Sequence, residues 1–150
     1  MRYLNTYIEI KNRLSECGLK ATHQRIVIYE CLAKSFNHPT AENIYESIKP
    51  NNPSISLATV YKTLDTFVSA HLIHKVFSDD GIVRYDAYTH PHSHIYCINT
   101  KEIIDFEDEN LNRLIQGYLK RKKIKNLKIK DIQLQILAEK VNIKEKVSIK

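Results

Sequence analysis

Residues 56–88 read SLATVYKTLDTFVSAHLIHKVFSDDGIVRYDAY, and the change of rhythm inside this stretch decides the fold. After Ser56, whose hydroxyl can cap a first turn, Leu57, Val60, Tyr61, Leu64 and Val68 recur at helical spacing. From Leu72 the period falls to two, through LIHKVF (72–77), the turn SDDG (78–81) and IVRYDAY (82–88), which predicts a β-hairpin. The helix, taken from Leu57 to Ala70, would expose Thr59, Lys62, Thr63 and Tyr61. A helix running straight into a hairpin is the order of a winged helix-turn-helix, where one helix lies in the major groove and the hairpin rides along the backbone.

The flanking sequence extends this reading in both directions. Upstream, Leu4, Ile8 and Leu14 suggest a helix over residues 3–17, stopped at Gly18, and Thr22 can cap a second helix from His23 to about Phe36. Thr40 can cap a short third helix carrying Ile44, Tyr45 and Ile48 that ends before Pro50. Downstream the pattern predicts strands at 92–98 and 102–106 and a helix at 107–122. A last strand would carry Leu127, Ile129, Ile132, Leu134 and Ile136, with a bulge where the alternation slips at Lys130-Asp131. The expected fold class is α+β: a winged-helix domain over 1–87 followed by a small α/β domain over 88–150. Three strands and one helix are marginal alone, so the second domain is read as a dimerisation domain. A homodimer with two reader helices suits double-stranded operator DNA built as an inverted repeat.

Composition narrows the alternatives. The 150 residues hold 43% hydrophobic and 27% charged side chains, both ordinary for a folded protein. Gly18, Gly81 and Gly117 stand too far apart to form a phosphate-cradling loop, which argues against a nucleotide cofactor. No stretch has the ~18 apolar residues of a membrane span, the N-terminus lacks a signal-peptide core, and Cys17, Cys31 and Cys97 form no CxxC pair. These features suit a reducing, cytoplasmic setting. The net charge of +6 divides into +1 over 1–87, −3 over 88–118 and +8 over 119–150. The run KRKKIK (120–125) can be an electrostatic footprint for nucleic acid or a solvated helix end whose cations complement the helix dipole.

The strongest chemical signal is THPHSHIYC (89–97). In an extended strand His92 and His94 share one face, so two imidazoles can hold one metal ion; His90 would join them only if the strand begins before Pro91. Asp86 lies at the hairpin exit, and pairing of the next strand could bring Asp105 to the histidines. Nitrogen and carboxylate donors without thiolate suit Fe(II), Mn(II) or Zn(II). A small non-haem iron oxygenase, using two histidines and a carboxylate, is the reading from a different class; it leaves the N-terminal helices and hairpin without a role.

The segments GLKATHQRIVIYECL, HPTAENIYESI, SISLATVYKTLDTFVSAHLI, RYDAYTHPHSHIYC and EIIDF resemble, in order and spacing, the ferric uptake regulator (Fur) superfamily of bacterial metal-dependent repressors. The resemblance implies a winged-helix domain hinged to a dimerisation domain, with a regulatory metal between them and no enzymatic turnover. Its ligands would fall on His38, Asp86, His92, His94 and Asp105. Aspartate at the last position resembles the peroxide-sensing PerR branch, in which Fe(II) reacts with hydrogen peroxide and a bound histidine is oxidised; His38 and His92 are the matching targets. Iron, manganese or zinc sensing without peroxide chemistry is the alternative. The resemblance also implies that Tyr61 and Lys62 contact the major groove and that Lys20 approaches the minor groove or backbone, with Thr59 exposed beside them and Arg25 either on phosphate or bracing its helix. Many relatives carry a structural zinc on two CxxC pairs. Here the first reads Cys97-Ile98-Asn99-Thr100 and no cysteine follows, so a four-cysteine zinc is excluded. The dimer would then rest on apolar packing through Ile103, Leu111, Leu114, Ile115 and Leu134, with Cys97 as a small buried hydrophobe. His23 stands where relatives usually have proline.

Overall fold

The computed structural model describes residues 6–88 and 90–142. The chain divides into two compact units, Met1–Thr89 and His90–Lys150. The architecture is α+β: a winged helix-turn-helix followed by a small α/β unit.

In the first unit every helix begins on a side-chain cap, which is why the helices start where they do. Helix α1 (Tyr7–Glu16) opens with a capping box: Oγ1 of Thr6 accepts from the Glu9 amide at 3.2 Å and Glu9 accepts from the Thr6 amide at 3.0 Å. Helices α2 (His23–Ala33), α3 (Ala41–Ile48) and α4 (Leu57–Ser69) begin at Thr22, Thr40 and Ser56. The end of α1 turns on Gly18, whose φ of +74° is the left-handed conformation that glycine adopts without steric cost. The four helices close over one core that includes Leu14, Ile28, Leu32, Ile44, Val60, Leu64 and Phe67. Tyr29 meets Phe67 edge to face, ring centres 5.9 Å apart.

Helix α4 ends in a turn that alternation alone does not reveal. His71 adopts φ +57°, its amide donates to Val68, and the Leu72 amide donates back to Phe67 at 2.9 Å. Leu72 and Ile73 are thereby driven into the helical core, so strand β1 begins at His74 and not at Leu72. Strands β1 (His74–Phe77) and β2 (Val83–Asp86) form the antiparallel wing, with His74 opposite Asp86 and Phe77 opposite Val83. Its loop turns through Gly81 at φ +75°, and Asp80 Oδ1 accepts from the Ile82 amide at 3.0 Å.

The second unit holds a three-stranded sheet in the order β4-β3-β5. Strand β3 (Ser93–Cys97) pairs antiparallel with β4 (Ile103–Phe106) and parallel with β5 (Gln135–Ala138). Between them runs α5 (Glu109–Lys122), capped by Asp108, whose carboxylate accepts from the Asn110 and Leu111 amides. No residue of α5 is buried, and Leu114 is 68% exposed. The run from Lys120 to Lys122 forms the last turn of α5, and Lys123 caps it with φ +45°.

The long last strand expected from Leu127 onward is not formed; only its end, Gln135–Ala138, pairs. Leu127 and Ile129 are exposed, and no strand runs through the slip at Lys130-Asp131, so no bulge forms there; Asp131 Oδ1 accepts from the Ile132 amide at 2.8 Å. Alternation is necessary for a strand but carries no ladder without a partner in register.

Asn99 grips the backbone just past β5. Its amide nitrogen donates to the Lys140 carbonyl at 2.9 Å and its oxygen accepts from the Lys140 amide at 3.0 Å. Lys140 Nζ lies 2.7 Å from Glu102 Oε2, and this hydrogen-bonded ion pair holds the Glu102 carboxyl below its usual titration range and the Lys140 ammonium above its own. Cys97 is buried.

Candidate metal centre

Two sets of donors lie one in each unit. In the first, His38 and Asp86 are both buried, with His38 Nε2 3.5 Å from Asp86 Oδ2. His38 adopts φ +47°, a left-handed conformation that costs a residue with a side chain about 1–3 kcal/mol and persists only where its surroundings impose it. They do so here: the Tyr85 amide donates to the Pro39 carbonyl at 3.0 Å, and Arg84 Nη1 donates to the His38 carbonyl at 3.4 Å. Asp86 closes β2, and its Oδ1 accepts from the Tyr88 amide at 2.9 Å. The wing strand thus fixes both residues of the pair.

The second set is built on the sheet. His94 is the register partner of Asp105, so the antiparallel ladder places them side by side, and His92 stands two residues before His94 on the same face. His92 Nε2 and His94 Nε2 are 3.1 Å apart, with Asp105 Oδ1 3.5 Å from His94 Nε2 and 3.7 Å from His92 Nε2. The rings meet at 73°. On the far side of His92, Nδ1 lies 2.7 Å from the His90 carbonyl. A carbonyl only accepts, so Nδ1 carries the proton, and in the neutral ring Nε2 keeps the lone pair that a cation binds. His90 therefore contributes its backbone, orienting His92.

These three donors fit a first-row divalent cation. With metal–nitrogen bonds of about 2.1 Å, adjacent ligands stand about 3.0 Å apart in an octahedron and about 3.4 Å apart in a tetrahedron. The 3.1 Å between the two imidazoles falls in that range, and the Asp105 contacts of 3.5 and 3.7 Å lie just above it, so a small inward shift of the carboxylate completes the fit. The set is nitrogen and carboxylate oxygen, the chemistry of Fe(II), Mn(II) and Zn(II) alike.

The profile of the Ferric uptake regulator family matches residues 16–137. The chain belongs to that family. Among its relatives, the peroxide-responsive repressor PerR of Staphylococcus aureus (strain Mu50 / ATCC 700699) is 37% identical over 101 residues, which cover 67% of this chain and 68% of that one. The ferric uptake regulator of Pseudomonas aeruginosa, solved with manganese, superposes with a TM-score of 0.74 at 25% identity, covering 88% of this chain and 98% of that chain. The Campylobacter jejuni peroxide stress regulator gives a TM-score of 0.67 at 25% identity, covering 93% and 99%.

The residues named for DNA in this Fur-family chain lie in the first unit. Tyr61 and Lys62 are exposed on α4, with Tyr61 40% accessible. Thr59 is half-buried and its hydroxyl lies 2.9 Å from that of the cap Ser56. Lys20 is exposed before α2, and its carbonyl accepts from Arg25 Nη1 at 3.0 Å, so Arg25 braces the start of its helix. Thr63, expected on the exposed face, is buried, because it shares the inward arc of α4 with Val60, Leu64 and Phe67. His23 now has a partner: its Nε2 lies 3.2 Å from Asn52 Oδ1, joining the start of α2 to the turn before α4. The sequence reading missed Glu42, which accepts a hydrogen bond from the Tyr61 hydroxyl. That bond lowers the Glu42 carboxyl below its ordinary range and raises the Tyr61 phenol. Nothing in local spacing signals a contact between residues nineteen positions apart.

Proposed function

We propose that this chain is a homodimeric, metal-dependent transcriptional repressor that senses hydrogen peroxide at a His and Asp site holding Fe(II) or Mn(II). Residues 1–87 read an inverted-repeat operator through α4, with Tyr61, Lys62 and Thr59 toward the major groove and Lys20 and Arg25 toward the backbone. Residues 88–150 supply dimerisation and metal ligands, and the protein acts in the cytoplasm. The observation that carries this reading is the trio His92, His94 and Asp105, three donors spaced for one cation.

Three donors from one unit and two from the other each fall short of a full coordination sphere. One cation taking ligands from both, His38 and Asp86 together with His92, His94 and Asp105, satisfies both sets at once. Such a cation favours the arrangement in which the two sets share it, and DNA affinity follows the metal by linkage. The carboxylates of Asp86 and Asp105 balance its charge, the His90 carbonyl holds the His92 ring in one tautomer, and the backbone around His38 holds that ring in place. When bound, Fe(II) supplies the electron that reduces hydrogen peroxide beside these imidazoles. By resemblance to the peroxide sensors, His38 and His92 would be the side chains oxidised; an oxidised ring is a poorer ligand, and its loss would release the operator. The 37% identity with a peroxide-responsive repressor supports this reading over plain iron, manganese or zinc sensing.

The deciding experiment loads the protein with Fe(II) under anaerobic conditions, adds hydrogen peroxide, and follows peptide masses and operator retention together. Added oxygen on His38 or His92 with loss of DNA binding is expected, while the Mn(II)-loaded protein stays unmodified and bound. Peroxide that leaves both histidines intact turns the reading to metal sensing alone. Metal-independent DNA binding with turnover of an organic substrate would favour the oxygenase.

A further inference from the structure

Helices α3 and α4 are joined on their exposed side by the hydrogen bond from the Tyr61 hydroxyl to Glu42 Oε1. Glu42 stands in the first turn of α3, whose backbone is fixed by the Thr40 and Asn43 capping box, and its carboxylate reaches Tyr61 from there. A phenol has one proton and two oxygen lone pairs. With the proton given to Glu42, what Tyr61 offers outward is an acceptor. Phosphate oxygens are acceptors too, and the Glu42 charge beside the ring repels them. Lys62, adjacent in sequence and exposed, has three donors and no acceptor, the opposite chemistry. In the major groove the outward-facing hydrogen-bond donors are the amino groups of adenine N6 and cytosine N4.

We infer that Glu42 is a specificity-determining positioning residue: by taking the only proton of Tyr61 it turns that side chain toward the amino group of adenine or cytosine and away from phosphate, which is left to Lys62. The inference rests on the proposed DNA-binding reading and adds to it which chemical edge Tyr61 reads.

The test uses the full chain loaded with Mn(II). The protein first selects duplexes from a random pool, and affinity is then measured for the selected duplex and for duplexes altered one pair at a time. Wild type and Glu42→Gln, whose amide oxygen still accepts the phenolic proton, are expected to prefer adenine or cytosine at one position per half-site by about tenfold. Glu42→Ala and Tyr61→Phe are expected to lose that preference, and Glu42→Ala is expected to gain affinity for unselected duplex. Full preference in Glu42→Ala overturns the inference. Without DNA, the Tyr61 phenol, followed by NMR of ring-labelled tyrosine and assigned with Tyr61→Phe, should ionise at lower pH in Glu42→Ala than in wild type. An unchanged titration overturns the inference and leaves the DNA-binding reading standing. If the titration shifts but metal-loaded wild type selects no duplex, the DNA-binding reading fails and carries the inference with it.

Discussion

The two units are held together by different means. The first buries a continuous cluster of seventeen residues, Leu14, Ile28, Ile44, Leu64 and Phe67 among them, and each large side chain taken from water contributes about 1.5–3 kcal/mol. In the second, Tyr96 and Cys97 are the buried apolar residues among those described, and α5 buries none. Leu114, Tyr118, Leu127 and Leu137 are all more than half exposed. A unit that buries so little is marginal by itself, whereas the winged helix has an ordinary core. The contrast teaches that the winged-helix unit is self-sufficient, while the unit carrying three of the proposed metal ligands needs help from outside its own chain segment. A second copy over the apolar face and a cation on the imidazoles are the two forms of help that its side chains suit.

The sharpest way to break this comparison is to damage the first core. Phe67→Ala should lose about 3–5 kcal/mol, and thermal unfolding followed by NMR should show the winged-helix signals lost first while those of β3 persist. Equal loss in both units would mean that they fold as one. Next in size is the apolar face: Leu114→Glu should convert a dimer to a monomer in sedimentation equilibrium without unfolding either unit, and an unchanged sedimentation profile would remove α5 from the interface. Lys62→Ala should weaken DNA binding and reduce the salt dependence by about one unit of slope, which operator titrations at several salt concentrations would read.

Smaller effects belong to the Asn99 clamp just past β5. Asn99→Ala removes two hydrogen bonds to Lys140 and should cost at most about 1 kcal/mol in denaturant unfolding, confined to the second unit. The smallest concerns pH. Because the folded Glu102 carboxyl titrates below its ordinary value, its pairing with Lys140 stabilises the fold above the ordinary carboxylate range and is lost as pH falls through the depressed value. Because the Lys140 ammonium is raised, the same pair is lost at alkaline pH as pH rises through the elevated value. Glu102→Gln should flatten both edges of the stability profile, by little, since the pair is exposed.

Much of this was legible in the sequence because it is encoded locally. Thr22, Thr40 and Ser56 announce their helices one residue ahead, and the switch from helical to alternating rhythm after α4 announces the wing. His92 and His94 share a face by strand geometry alone, and β4 follows closely enough that pairing to Asp105 could be anticipated. What escaped is set at a distance or by burial. Alternation ran through Leu72 and Ile73 because nothing in their order shows that His71 turns left-handed. Thr63 looked exposed because it is polar, although its spacing from Val60 and Phe67 places it inward. The strand predicted from Leu127 fails because only Gln135–Ala138 finds β3 in register. Glu42 was invisible because its partner lies on another helix.

The central claim is that a single cation draws on ligands from both units. Mn(II) titration followed by electron paramagnetic resonance tests it most directly, on wild type, His38→Ala and His94→Ala. The account predicts one tight Mn(II) per chain in wild type and at least about a tenfold loss of affinity in each variant. A His38→Ala protein that binds Mn(II) as tightly as wild type would contradict it.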